Sequence, residues 1–528
     1  MSNHAYESAA ALRPSSNGPI PISTLCERFS LAPASAEDAA ALNDLSILGV
    51  SVDSADTAPG ELFVGLPGFT VHGARFAAQA VASGAVAVLT DADGAQIVHQ
   101  TAPGTPTLVH SDPRAVVGPL SAEVYHHPAR GLVTTAVTGT NGKTTTAYFL
   151  DAILSAHVGG CMVAGTVELR VGERSVESPR TTVEAPVLQR MMALAVEDKV
   201  GAASLEASSH AIVLHRLDGI VVDVAGFTNL QRDHLDFHKT MEGYLEAKAQ
   251  LFTPEHARRG VVCVDDQWGA TLAAEAPIEI DRVRAYPGDT PADWWVSDAA
   301  VSLTDSATTF TLHGPDGEKI EASCPLPGLV NVQNAALALV MALRAGVPVA
   351  TAVTALAGAH NIPGRMQRIS QRDGRRGLCI VDFAHTPDAM ELALKAVRPI
   401  TPGRLIVVFG SDGDRDQGKR PMLGEVCARL ADVLVVTDEN PRSEDPQLIR
   451  NAILEGVRGV RPDLTDVEEI TTWRGDAVRR GVELCGPDDT VIVTGKGHEP
   501  FLEMAGEFIR YNDAPVMAEA VEEKWGRA

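Results

Sequence analysis

Residues 132–150 read LVTTAVTGTNGKTTTAYFL. An apolar run, two glycines around Thr140 and Asn141, a lysine, and three threonines leading into a second apolar segment predict a buried strand, a phosphate loop and a helix. Gly139 and Gly142 let the backbone curl so that its N–H groups converge on an anion. Lys143 adds a point charge, and Thr144, at the start of the helix, offers a hydroxyl to a magnesium ion. The usual phosphate-loop spacing, G-x-x-x-x-G-K, calls for glycine at 137, where this chain has Val137. Ordinary kinases and GTPases therefore fit poorly.

The chain has 528 residues, more than one core usually holds, and about three domains are expected. Its 45% hydrophobic and 21% charged content is that of a globular protein, and the net charge of -24 argues against general nucleic-acid or anionic-membrane binding. Any phosphate site must be built locally. Seven scattered cysteines without a CxxC pair give no disulfide or zinc framework and suggest a reducing, cytoplasmic setting. No apolar run reaches membrane-spanning length, so no membrane insertion is expected.

Changes of pattern divide the chain into a flexible leader (1–20), a first block (21–131), a middle block opened by the phosphate loop (132–361), and a last block (362–528). A hinge is expected near Pro363 and Gly364. The last block repeats apolar strands (LCIVDFAH, RLIVVFGS, ADVLVVTD, DTVIVTGK) between amphipathic segments. Strands apolar on both faces imply an α/β fold in which helices cover parallel sheets. Two polar runs, FGSDGDRDQGKRP and TDENPRSEDP, each follow a strand's C-terminal end, where open α/β sheets bind ligands.

TGTNGKTTT, together with LEASSHAIVLHRL (205–217), FTNLQRDHLDFH (227–238) and GLVNVQNAALAL (328–339), resembles the motifs of the Mur ligase superfamily. These are ATP-dependent amide-bond-forming enzymes, and folylpolyglutamate synthetase is among them. The resemblance runs from about residue 50 to about residue 500. It implies three domains: a small N-terminal α/β domain binding UDP, a central ATPase domain, and a C-terminal Rossmann-like domain binding an amino acid. It is strongest to the branch that adds the third residue to the UDP-N-acetylmuramoyl peptide of peptidoglycan.

Site residues follow from that resemblance. ATP would meet Gly139, Thr140, Asn141, Gly142, Lys143, Thr144 and Thr145, then Asn331 and Asn334 on the adenine side, and Arg365, Asp382 and His385. Phe383 stands where tyrosine is more usual. Magnesium would be held by Thr144, Glu206, His234 and Lys248. On composition alone Lys248 is an ordinary solvated helix lysine; the resemblance makes it a lysine carbamylated by carbon dioxide, which turns a cation of pKa ~10.4 into an anion.

The UDP-muramoyl dipeptide would be held by Val52, Ser54, Phe69, Thr70, Val71, Thr181, Thr182, Ser208, Leu214 and Arg216, although Ala55, Val183 and Leu214 depart from the family's pattern. The incoming amino acid would meet Arg415, Glu439, Asn440, Pro441, Arg442, Gly495 and Glu499. Diaminopimelate-adding relatives read DNPR where this chain reads ENPR, and lysine-adding relatives lack the arginine. Ser411-Asp412 replaces the more common Cys-Gly.

The expectation is a cytoplasmic, monomeric ligase joining meso-diaminopimelate to UDP-N-acetylmuramoyl-L-alanyl-D-glutamate with ATP cleavage and domain closure. The alternatives are its L-lysine-adding counterpart, folylpolyglutamate synthetase, and a silent binding protein of the same fold.

Overall fold

The computed structural model describes residues 9–302, 307–359 and 361–526. They divide into two units, one of Met1–Trp294 with Ala336–Ala355 and one of Trp295–Ala335 with Leu356–Ala528. The first block and most of the middle block lie in the first unit, while residues 295–335 group with the last block.

Two sheets account for most strands of the first unit. In the smaller, strands Gly49–Ser51, Glu61–Val64, Ala87–Thr90 and Thr107–Val109 run parallel, with Ala32–Pro33 antiparallel at the edge. In the larger, six parallel strands follow the spatial order Cys161–Ala164, Ala202–Glu206, Val133–Thr138, Val222–Phe227, Ala257–Cys263 and Glu279–Arg284. Five consecutive residues of Val133–Thr138 are buried, three of them threonines, as expected for a strand covered on both faces. The helix Lys143–Val158 starts directly after the glycine loop, with Gly142 at φ 88° as its left-handed N-cap.

Residues 9–20 correct the expectation of a flexible leader. Ala9–Ala11 form a turn of 3-10 helix and Leu12 is fully buried in the core of the larger sheet. Arg13 pairs with Asp56 and Glu61, Ser15 and Ser16 bond the Glu197 carboxylate, and Ile20–Pro21 pairs with Ser46–Ile47. One buried apolar side chain, one paired cation, two serines and a short strand pairing anchor a segment whose composition otherwise reads as a tail. The first eight residues of that leader lie outside the described residues.

In the second unit, strands Leu378–Val381, Thr490–Val493, Leu405–Phe409, Val433–Val436 and Val467–Glu469 form a parallel sheet in that spatial order. Gln367–Ser370 is antiparallel at its edge. All four strands expected here are present. The loops 410–418, 437–445 and 494–500 leave the carboxyl ends of three adjacent strands, and chain topology alone brings the FGSDGDRDQ, TDENPRSED and GKGHE runs together. Among the described residues no helix is long and apolar enough to cross a membrane.

Candidate active site

The glycine loop is shaped by the segment that follows strand Val222–Phe227. Thr140 N–H donates to the Asn229 carbonyl at 2.9 Å, Asn141 N–H to Asn229 Oδ1 at 3.0 Å, and Asn141 Nδ2 to Gln231 Oε1 at 2.7 Å. Thr228 Oγ1 donates to the Asn141 carbonyl at 2.6 Å. Gly139 sits at φ 145°, and a Cβ there would collide with Thr228 Oγ1, so the first glycine is required by conformation and by space. The motif FTNLQRD thus clasps the loop directly.

Two lysines converge on one carbonyl. Lys143 Nζ donates to the Gly139 and Thr140 carbonyls at 3.0 and 2.9 Å, and Lys248 Nζ donates to the Gly139 carbonyl at 2.8 Å. Lys248 is 1% exposed and its Nζ lies over the Tyr244 ring, 4.4 Å from the centroid. Burial, and secondarily the neighbouring Lys143 charge, push the Lys248 ammonium well below its ordinary pKa. His234, half-exposed in a left-handed conformation, packs edge-on against His210 at 4.8 Å and Tyr244 at 6.2 Å. Tyr244 in turn reaches Thr140 Oγ1 from its hydroxyl at 3.4 Å.

Beside this cluster, Glu206 ends its strand fully buried. Its carboxylate accepts from Thr144 Oγ1 at 3.0 Å, Thr166 Oγ1 at 2.9 Å and Thr166 N–H at 2.8 Å. A buried carboxylate next to a helix-start hydroxyl is a hard oxygen pair of the kind magnesium prefers. Thr145 is buried one residue further along the helix.

The residues expected along the muramoyl peptide fall into two places. Thr182 Oγ1 donates to the Glu206 carbonyl at 2.7 Å and accepts the Ser208 N–H at 3.0 Å, while Thr181 Oγ1 lies 3.2 Å from Thr166 Oγ1. Arg216 donates to the Thr182 carbonyl at 3.1 Å and pairs with Glu184 at 3.0 Å; its Nε is buried with no acceptor. Leu214 caps the short helix carrying Ser209 and is partly buried. In the smaller sheet's neighbourhood, Ser54 Oγ meets Gln79 at 3.1 Å and Val52 is partly buried. Phe69, 88% exposed, stands out with Thr70 and Val71 on a projecting loop, where an apolar ring has nothing of its own to cover it.

In the second unit, Asp382 is buried, accepts the Met366 and Ala384 N–H groups at 2.8 and 2.9 Å, and has its pKa raised by burial. Arg365 lies over Phe383 at 4.3 Å, and Phe383 contacts His385 at 4.7 Å and His498 at 5.3 Å. Asn331 bonds the Pro327 carbonyl at 2.8 Å, and Asn334 Oδ1 is buried with no donor.

The three loops at the sheet's carboxyl end meet around Glu439 and Asn440. Asn440 Nδ2 donates to Glu499 Oε2 at 3.0 Å, and Lys496, fully buried, donates to Asn440 Oδ1 at 2.9 Å and Glu499 Oε2 at 3.0 Å. Pro441 is buried, and its carbonyl would meet any Cβ on Gly413. Arg442, at φ 55°, is held by backbone bonds to Glu503 and Ala505, and its side chain lies 3.9 Å from Asp412 and 3.6 Å from Glu503. Its Nε is buried without a hydrogen-bond acceptor. Gly495, at φ 108°, makes room for Glu439, whose carboxylate would lie 2.6 Å from a Cβ there. Arg415 is exposed.

Sequence profiles match along most of this architecture: the Mur ligase family, catalytic domain over 46–123, the Mur ligase middle domain over 137–342, and the Mur ligase, glutamate ligase domain over 364–497. The chain is 43% identical over 480 residues to the UDP-N-acetylmuramoyl-L-alanyl-D-glutamate--2,6-diaminopimelate ligase of Streptomyces coelicolor, covering 91% of this chain and 93% of that one. The chain belongs to the Mur ligase family.

Within that family it is also 42% identical over 508 residues to the UDP-N-acetylmuramyl-tripeptide synthetase of Leifsonia xyli, covering 95% of this chain and 96% of the relative. A solved UDP-N-acetylmuramoyl-L-alanyl-D-glutamate--2,6-diaminopimelate ligase superposes with a TM-score of 0.63 at 32% identity, over 90% of this chain and 95% of that one. MurF from Acinetobacter baumannii shares the fold, with a TM-score of 0.65 at 20% identity.

Sequence reading did not single out Thr166, Gln231, Tyr244, Lys496 or His498 as site residues. Lys496 and His498 stand between the expected Gly495 and Glu499, whereas Thr166 carries no local signal and reaches Glu206 across 40 positions of chain.

Burial, and then the nearby Asp412 charge, push the Glu439 carboxyl up to about 8 from the ordinary 4.5. Folding therefore takes up a proton at this residue between those values. Its contribution to stability is fully present below about pH 4.5, falls as pH rises towards 8, and is level above. Glu439→Gln is expected to flatten that part of the stability profile in chemical denaturation measured across pH. A slope unchanged in the variant would count against a protonated Glu439.

Proposed function

We propose that the chain joins meso-2,6-diaminopimelate to UDP-N-acetylmuramoyl-L-alanyl-D-glutamate at the expense of ATP, as a cytoplasmic monomer in peptidoglycan precursor synthesis. The observation that carries the choice of amino acid is Arg442. This partly buried guanidinium keeps an unsatisfied Nε and sits in the ENPR turn, at the carboxyl end of the sheet. Diaminopimelate exceeds lysine by one carboxylate, which a guanidinium can grip bidentately.

In this reading the terminal glutamyl carboxylate attacks the γ-phosphorus of ATP, releasing ADP and leaving an acyl phosphate. The amine of the amino acid then attacks the acyl carbon, phosphate departs, and the amine's proton is lost to solvent or a base. Magnesium, when bound, would neutralise charge on the phosphates, with Thr144 and Glu206 as its oxygen donors. The loop N–H groups and Lys143 orient the phosphates and stabilise the transferring group. Thr182, Ser208 and Arg216, tied to the end of the Glu206 strand, hold the acceptor peptide next to them.

Lys248 fits carbamylation. Its buried amine is biased to the neutral form, which is the form that adds carbon dioxide with loss of a proton. The product keeps one N–H for the Gly139 carbonyl and places a negative group beside Lys143.

Phosphate release from ATP in the presence of the UDP-muramoyl dipeptide tests the assignment. Turnover is expected with meso-diaminopimelate, and Arg442→Ala is expected to lower its kcat/KM by about a hundredfold or more, corresponding to about 3 kcal/mol of lost interaction with a charged partner. Equal or better turnover with L-lysine in the wild type would overturn the choice of amino acid.

A further inference from the structure

We propose that Asp412 binds the distal ammonium of the diamino acid while Arg442 takes the carboxylate borne by the same distal carbon. This inference deepens the diaminopimelate reading and rests on it. The far end of that substrate is a zwitterion, with an ammonium and a carboxylate one carbon apart. Its complement is a cation and an anion set side by side, each with hydrogen-bonding capacity left over.

Asp412 and Arg442 are such a pair. Arg442 Nη2 and Asp412 Oδ1 lie 3.9 Å apart, close enough for charge attraction and too far for a hydrogen bond. Asp412 Oδ1 is buried with no donor, and Arg442 Nε is buried with no acceptor. An unmet acceptor and an unmet donor on neighbouring opposite charges are costly unless a ligand satisfies both.

Oxygens of several neighbouring carboxylates already have partners. Glu499 Oε2 already accepts from Lys496 Nζ and Asn440 Nδ2, each at 3.0 Å. Glu444 accepts both arms of Arg420 at 2.7 and 2.9 Å, and Asp414 accepts from Ser443. Glu439 is biased to its neutral form by burial. Glu503 lies against the Nε side of Arg442 at 3.6 Å.

The backbone around Asp412 is fixed in advance. The Asp412 carbonyl accepts from Arg420 Nη2 at 3.1 Å, and Gly413 N–H donates to the Asn440 carbonyl at 2.8 Å. Its neighbour Ser411 is 1% exposed, with its hydroxyl unpartnered.

The test compares three amines with the full-length enzyme, ATP and the UDP-muramoyl dipeptide: meso-diaminopimelate, L-lysine (distal ammonium only) and L-2-aminopimelate (distal carboxylate only). In Asp412→Asn, kcat/KM for meso-diaminopimelate is expected to fall by about tenfold or more, chiefly through KM. Any lysine turnover should fall with it, while L-2-aminopimelate should stay within about twofold. KM for ATP should not move, and Asp412→Gly should repeat the pattern if the asparagine variant folds poorly.

An equal loss with meso-diaminopimelate and L-2-aminopimelate would overturn the proposal and make Asp412 a positioning residue for Arg442. An unchanged meso-diaminopimelate constant would overturn it outright. A wild type that ignores meso-diaminopimelate would defeat the underlying reading before any variant is examined, and the proposal with it.

Discussion

Replacing Lys248 by alanine is expected to lower ATP turnover by about a hundredfold or more, on the scale of removing one preorganised electrostatic group from an active site. The argument is positional. A lysine that is 1% exposed, bonded to the Gly139 carbonyl and set beside Lys143, would as an ammonium double the positive charge at the loop's entrance. As a carbamate it would reverse that sign and offer oxygens where magnesium is expected. Lys248→Arg should be as defective, because a guanidinium is not carbamylated at neutral pH. Native mass spectrometry of the active enzyme should show one carbon dioxide retained, and turnover should fall in carbon dioxide-depleted buffer. An unmodified Lys248 together with a fully active Lys248→Ala variant would end the idea.

The second large effect is on stability. Arg474 is wholly buried; Nε and Nη2 grip both oxygens of the equally buried Asp513 at 2.9 and 2.8 Å. Its remaining donors reach the Asp438 carbonyl at 2.9 Å and the Thr494 carbonyl at 2.7 Å, the second and the first residue beyond their strand ends. Arg474→Ala removes a cation and strands a buried carboxylate, which costs about 3–5 kcal/mol. Denaturant unfolding of the second unit should register it. Replacing the pair together by Met and Leu should recover much of the loss in stability, but not the placement of the ENPR and GKGHE loops, so diaminopimelate KM should remain raised. A loss below about 1 kcal/mol for Arg474→Ala would mean that the pair is solvated or replaced by water.

Much of this molecule is legible from the chain because its strands are apolar on consecutive residues and its loops are written in short motifs. Val133–Thr138 and the four strands of the last block follow from burial on both faces, and the loops at their carboxyl ends follow from topology. What resists reading is contact made across long stretches of sequence. Nothing local distinguishes Lys248 from the other polar residues of Met241–Ala249, since only the fold decides which side of that helix is buried. Arg474 and Asp513 meet across 39 positions, and each alone looks like a surface charge. Leu12 and Arg13 anchor a segment whose composition advertises a tail. Phe69 is the converse case, an apolar side chain 88% exposed at a position that the resemblance gives to the UDP-muramoyl dipeptide and not to the core.

The clasp of Thr228, Asn229 and Gln231 around the glycine loop bears on how the loop would be used. Because Thr140 and Asn141 are tethered by protein groups, the ordering of this backbone is completed during folding and not deferred to nucleotide arrival. The loop then behaves as a rigid receptor, and its recognition of phosphate carries little entropic penalty of its own. Any flexibility that the reaction calls for would then fall to other segments of the chain, with the anion cradle as a fixed reference.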